Sequence, residues 1–174
     1  MNASVDAIKT LREETSCGVI ECKKALEEAK GDLGKAKEIL KKRGLEIAAK
    51  KSDRLAKEGR LESYVHMGNK IATLVEVNCE TDFVARNEDF ARFTKDLAMQ
   101  IAATAPEYLA EIDVPADVLA KHADRKTFLK EKCLLNQVFI KDPSLTIQDY
   151  LNTLVAKIGE NIRIGRFVRY KVGE

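Results

Sequence analysis

Histidine occurs only twice in this chain, at His66 and His122. Neither stands in a His-Glu-x-x-His pattern or beside a cysteine pair, which excludes the usual zinc arrangements. The four cysteines, Cys17, Cys22, Cys79 and Cys133, contain no Cys-x-x-Cys pair and make no disulfide framework, so reduced thiols are expected. There is no Gly-x-x-x-x-Gly-Lys-Ser/Thr loop and no Gly-x-Gly-x-x-Gly, so the chain is not expected to cradle a nucleotide itself. A Gly-x-Ser-x-Gly elbow is also missing. No apolar run reaches the roughly 20 residues of a membrane span. The opening residues lack the basic and apolar regions of a signal peptide, so a cytoplasmic setting is expected. A one-sided charge is lacking too. Thirty Lys and Arg face 28 Asp and Glu, whereas a dedicated nucleic-acid binder carries a clearer basic excess. Acidic pairs such as Glu13-Glu14 and Glu27-Glu28 fall on solvated helix faces. These absences move the reading from enzyme towards binding protein.

What is present is enough for a core. Hydrophobic residues make up 45% of the 174 and charged residues 33%, the scale of one domain or a core with a small module. Val5, Ile8 and Leu11 recur at helical spacing, as do Val19, Cys22, Leu26 and Ala29, and then Leu33, Ala36, Ile39 and Leu40. Breaks at residues 15–18 and at Gly31-Asp32 separate the three. Gly44, after Lys41, Lys42 and Arg43, is expected to end the third helix. Residues 1–45 thus read as a three-helix module, 46–60 as a charged linker with some helix, and 61–174 as an α+β core. Residues 1–60 carry a net charge of +4 and the remainder −2, so the front could meet an acidic surface.

The pattern changes after the linker. Residues 61–67 and 70–78 are strand-like runs around Gly68-Asn69, a pair that tolerates positive φ in a hairpin turn. The second run is apolar on both faces, which marks a covered central strand. Asn87 is placed to cap a helix that carries Phe90, Phe93, Leu97 and Ile101 on one face and ends near Pro106. Pro115 opens a helix expected to run through Val118, Leu119, Phe128 and Leu129, in a region, 107–135, that the sequence leaves ambiguous. Thr146 or Ser144 caps a helix bearing Ile147, Tyr150, Leu151, Leu154 and Ile158. A strand over 162–172 closes the chain, with a bulge marked by Gly165. The fold class is α+β: a helical module, then a small antiparallel sheet packed with helices.

One segment stands out. Glu76-Val77-Asn78-Cys79-Glu80-Thr81-Asp82-Phe83-Val84 joins the central strand to the next helix and puts an acid and an aromatic at the turn. Taken locally, a cap and a core phenylalanine explain it. The string Glu-x-Asn-x-x-Thr-Asp-Phe-Val, however, resembles a signature of the elongation factor Ts family. Residues 11–26, Leu-Arg-Glu-Glu-Thr-Ser-Cys-Gly-Val-Ile-Glu-Cys-Lys-Lys-Ala-Leu, resemble a second, and 157–162 and 166–170 fit as well. The likeness spans nearly the whole chain, in the right order.

The resemblance implies a ubiquitin-associated-like N-terminal module that docks on the GTPase domain of elongation factor Tu through Arg12, Val19 and Ile20. The local alternative is that one of the two apolar residues completes the module's own core, and Val19 fits that better because it shares a face with Leu26. The resemblance further implies that Thr81, Asp82, Phe83 and Val84 form a wedge that disturbs the GDP and Mg²⁺ held by that partner, so that GDP leaves and GTP reloads. Ile158 and Gly159 match further contacts. No cofactor of its own and no covalent catalysis are implied. Long members carry two core subdomains; this chain has room for one, and short members of the family pair as homodimers. Residues 63–68 resemble a hairpin of the missing subdomain, so the resemblance implies that His66 acts in trans; the local alternative is a half-buried strand histidine. Ser16-Cys17 departs from the family's common Gly-Ala. Three other readings attach to local features: an adaptor built on the helical module, an RNA-associated protein using the basic run 41–60, and a thiol enzyme using Cys79.

Overall fold

The computed structural model describes residues 4–15 and 17–174; the opening residues 1–3 and Ser16, on which two of the readings above fall, lie outside the described residues. In chain order the helices and strands are α1 (Val5–Thr15), α2 (Val19–Glu28), α3 (Leu33–Lys51), β1 (Glu58–Val65), β2 (Ile71–Cys79), α4 (Asp82–Ala85), α5 (Glu88–Thr104), α6 (Ala116–Lys121), α7 (Arg125–Lys132), β3 (Val138–Phe139), β4 (Asp142–Thr146), α8 (Ile147–Ile158) and β5 (Arg163–Lys171). The mixture is α+β, as the periodicities imply. The residues divide into two compact units. One is the chain up to Arg54 together with Leu151–Asn161; the other is Leu55–Tyr150 together with Ile162–Glu174.

In the first unit, Leu11, Cys22, Ala25, Leu26, Ala36 and Leu40 form a small core between α1, α2 and α3. Asp32 starts α3 by accepting the Lys35 N–H at 3.0 Å. Lys37 pairs with Glu14 at 2.8 Å and Arg43 with Glu28 at 2.7 Å, tying α3 to both other helices. Gly44 does not end α3, as its sequence context suggests. The helix runs seven residues further, to Lys51, with Gly44 buried in its interior. The buried stripe of Ala36 and Leu40 continues through Gly44, and the second half of α8 lies against it. A Cβ at Gly44 would stand 3.8 Å from the Asn152 carbonyl oxygen and 3.9 Å from the Ala156 Cβ, ordinary contact distances. Gly44→Ala is therefore expected to stabilise the protein by about 0.5–1 kcal/mol, read as a higher Tm, because alanine removes helix-opposing backbone entropy without a clash. A lower Tm would mean that the α3–α8 contact is tighter than these distances.

In the second unit, β1, β2 and β5 form an antiparallel sheet with β2 in the centre. The hairpin between β1 and β2 does use Gly68 and Asn69 at positive φ, +87° and +56°. It is a four-residue loop, closed by the His66 N–H to the Ile71 carbonyl at 2.8 Å, rather than a two-residue turn. Val75 faces Phe167 and Val77 faces Ile164, so β5 carries an extra residue at Gly165-Arg166, the bulge expected there. Gly59 of β1 lies opposite Asn78 of β2, with no room for a side chain. Its φ is +157°, and a Cβ would stand 2.3 Å from the Val77 carbonyl oxygen. Gly59→Ala must push β1 off its register, and a loss of about 2–3 kcal/mol is expected in chemical denaturation; an unchanged midpoint would show that β1 can slide.

Helix α5 covers one face of this sheet. Phe90, Phe93, Leu97 and Ile101 are buried with Val75 and Val77, as the spacing implies, and the Thr73 hydroxyl donates to the Ala98 carbonyl at 3.0 Å. Asn87 caps α5 by accepting the N–H groups of Asp89 at 2.8 Å and Phe90 at 3.4 Å. The opposite face of the sheet is open within the unit. Leu61 and Val65 of β1, Leu74 of β2, and Val168 and Tyr170 of β5 are exposed there. The central strand is thus apolar on both faces but covered on only one. The ambiguous 107–135 region resolves into two helices, not one: α6 and α7 are separated by a break at 122–124, where Asp124 caps α7 through the Thr127 N–H at 3.0 Å. Val114, Phe128, Leu129 and Cys133 make a satellite core of their own. Thr146, rather than Ser144, caps α8: its hydroxyl oxygen accepts the Asp149 N–H at 3.1 Å, and the Asp149 carboxylate accepts the Thr146 N–H at 3.2 Å.

Candidate functional site

Between β2 and α5 the chain makes the one-turn helix α4, and its neighbours hold it firmly. Cys79, at the end of β2, is buried, and its thiol donates to the Thr81 carbonyl at 3.1 Å. The Thr81 hydroxyl oxygen accepts the Val84 N–H at 3.4 Å and so caps α4. Asp82, in the first turn, accepts from the Arg86 guanidinium at 2.9 Å. The Asn87 N–H closes the turn on the Val84 carbonyl at 2.9 Å. Thr81 and Val84 are half-buried anchors. Phe83 between them is 80% exposed. The bland reading of Phe83 as a core residue is therefore wrong. A phenylalanine left in water forgoes roughly 2–3 kcal/mol of burial, and here it sits on a single turn capped by Thr81, just before the Asn87 cap of α5.

The rest of the string does structural work. The Glu76 carboxylate accepts from the Asn78 amide at 3.1 Å and from Arg166 Nε at 2.9 Å, on the open side of the sheet. The Asn78 hydrogen bond, and then Arg166, hold its carboxyl below the ordinary carboxylate range. A Cβ at Gly165 would stand 2.8 Å from the Asn78 Oδ1. Glu76 and Asn78 thus brace the β5 bulge. Sequence reasoning placed the bulge at Gly165 but missed the Glu76–Arg166 pair, which joins residues 90 positions apart.

In the first unit, Arg12 is exposed, Val19 is 51% exposed and Ile20 68% exposed. Val19 does not enter the core as its spacing to Leu26 suggests: it is the first residue of α2, and Cys22, Ala25 and Leu26 fill the core side. Arg12 and Val19 line an open groove of about 700 Å³ whose other lining residues include Ala156 and Lys157 of α8. Ile158, half-buried, ends α8, and Gly159 follows it with φ +85°. Arg12 and Val19 thus meet Ala156 and Lys157, far apart in sequence, on one surface. His66 is exposed at the end of the β1 hairpin, its Nδ1 at 3.1 Å from the Tyr64 hydroxyl.

Little here suits covalent chemistry. Burial raises the thiol pKa of Cys22 and of Cys133, and Cys79 is closed off from solvent. Among the described residues no cluster of His, Cys, Asp and Glu could hold a metal ion, and no helix is long and apolar enough to cross a membrane.

The α+β scaffold exposes a capped phenylalanine on one unit and carries a partly apolar groove on the other. The family model described as Elongation factor TS matches residues 24–126 and 124–174. Curated proteins named Elongation factor Ts are similar along nearly the whole chain. That of Carboxydothermus hydrogenoformans is 48% identical, covering 96% of this chain and 88% of its own. That of Thermoanaerobacter pseudethanolicus is 47% identical, covering 98% and 95%. That of Moorella thermoacetica is 47% identical, covering 100% and 97%. The chain belongs to the elongation factor Ts family, and with it to the factors of translation elongation.

Proposed function

We propose that the protein is a guanine nucleotide exchange factor for elongation factor Tu. The observation that carries this reading is Phe83, 80% exposed on a tip fixed by the Thr81 and Asn87 caps. Such a side chain gains free energy only on entering a partner. Phe83 inserts between helices of the partner's GTPase domain, and Asp82 exchanges Arg86 for hydrogen bonds at a helix end there. The insertion disturbs the contacts that hold Mg²⁺ and the GDP phosphates. GDP and the factor then oppose each other on one partner, and this antagonism is reciprocal; GTP reloads and releases the factor. No bond is made or broken, so the factor needs no catalytic residue and no cofactor of its own. Arg12, Val19 and Ile20, with Ile158 and Gly159, supply the docking surface: the apolar groups give contact area and Arg12 a planar, multiply hydrogen-bonding cation.

In this reading a second copy of the chain covers the open sheet face. Leu61, Val65, Leu74, Val168 and Tyr170 lie on three adjacent strands, a contiguous patch of the kind that marks an interface. In the homodimer, His66 of one protomer serves the elongation factor Tu bound by the other. The setting is the cytoplasm.

The test is release of a fluorescent GDP analogue from elongation factor Tu with and without the protein. A large acceleration supports the reading. A folded protein that leaves the release rate unchanged, with a partner from a matched source, sinks it.

A further inference from the structure

The turn that carries Ile158 and Gly159 belongs to the same compact unit as α1–α3, although more than a hundred residues separate them. Two side chains tie it to the end of α3. Lys51, the last residue of α3, donates from Nζ to the Gly159 carbonyl. Asn161 is buried, and its Nδ2 donates to the carbonyls of Ser52 at 3.2 Å and Arg54 at 2.6 Å. The tie is reciprocal. α3 supplies a cation to the C-terminal end of α8, where helix carbonyls are unpaired and the dipole is negative. The residues after α8 supply an amide to carbonyls that leave the last turn of α3.

Gly159 explains why the tie is needed. It ends α8 in the left-handed region, its N–H on the Val155 carbonyl at 2.9 Å. Its own carbonyl lies beyond the helix ladder, and Lys51 takes it. Lys51 and Asn161 thus add side-chain hydrogen bonds to a glycine-containing helix end.

We propose that Lys51 and Asn161 form a latch that sets the turn 158–160 beside the groove wall of Ala156 and Lys157, and that they are positioning residues for docking of elongation factor Tu. This rests on the exchange reading and extends it. A loose turn offers the same side chains, but the partner must then order it on binding; the latch removes that cost beforehand. Loss of the latch weakens docking. It leaves the displacement of nucleotide, which belongs to Phe83, untouched.

The test uses the full-length protein as wild type, Lys51→Met, Lys51→Arg and Asn161→Ala. Each is titrated against elongation factor Tu carrying the fluorescent GDP analogue. For Lys51→Met and Asn161→Ala the half-saturating concentration is expected to rise about tenfold, the size of one charged or well-placed hydrogen bond. The release rate at saturation is expected to stay at the wild-type value. Lys51→Arg keeps both, since it retains the charge and the donor. Hydrogen exchange of the amides at 158–161, in the protein alone, is expected to quicken in Lys51→Met with the rest unchanged. Asn161 is buried and its variant can fail to fold; Lys51→Met then decides the matter alone. Unchanged amide exchange means no latch. Quickened exchange with an unchanged half-saturating concentration means the latch has no part in docking. A lower rate at saturation with an unchanged half-saturating concentration assigns Lys51 to nucleotide displacement instead and overturns the proposal. If the wild type gives no acceleration, the exchange reading falls and takes this role with it.

Discussion

Phe83→Ala is expected to lower the acceleration of GDP release by about 30- to 1000-fold, the range for an aromatic anchor worth roughly 2–4 kcal/mol at the centre of an interface. The protein should remain folded. Phe83 is 80% exposed, so its removal gives up almost no burial, and stability should move by no more than about 0.5 kcal/mol. Phe93→Ala is the contrasting control. Phe93 is fully buried on the α5 face, and its loss should cost about 3–5 kcal/mol. The pair separates display from packing: one variant keeps its Tm and loses exchange, the other loses its Tm. Unfolding of Phe83→Ala would make Phe83 a core residue and remove the wedge. A folded variant with full exchange would move the active contact elsewhere. The Arg86–Asp82 pair does not change this expectation. It is solvent-exposed, and such pairs contribute about 0–1 kcal/mol, so Asp82 is readily given up to a partner.

Leu74→Arg should abolish the proposed homodimer. Leu74 is 42% exposed at the middle of β2, facing away from α5, with Ser63 opposite on β1 and Val168 on β5. Two sheets packed face to face stand about 10 Å apart and interdigitate their inner side chains. A guanidinium in that layer would be a buried charge with no partner, a cost of several kcal/mol. The dimer dissociation constant should therefore rise at least about a hundredfold. Sedimentation should show the monomer mass at concentrations where wild type is dimeric. Secondary structure should be preserved, because the α5 side of the sheet is not touched. A variant that stays dimeric would exclude this face as the interface. A wild type that is monomeric at tens of micromolar would remove the dimer from the proposal altogether.

Some of this was legible along the chain. Asn87 and Thr146 fall at helix starts because a short acceptor before an apolar-periodic run satisfies free N–H groups wherever the run occurs. Phe90, Phe93, Leu97 and Ile101 share a face because the 3.6-residue period forces them to. Gly68 and Asn69 take positive φ for a reason equally local. The string at 76–84 and the segment 11–26 carried the family in linear form. What the chain alone got wrong concerns neighbours. Gly44 looks like a helix end until α8 is seen against it, and Val19 looks like core until Cys22 is seen in its place.

The sequence by itself determined the helix and strand periods, the main caps, the α+β class and the family, because each is encoded within a few consecutive residues or one unbroken string. The tertiary structure alone decided which apolar residues stay in water, that residues 151–161 join the N-terminal helices, that Arg12 and Val19 share a groove with Ala156 and Lys157, and that one face of the sheet is left uncovered. Exposure and proximity are properties of what the rest of the chain packs against, and no local window contains that information.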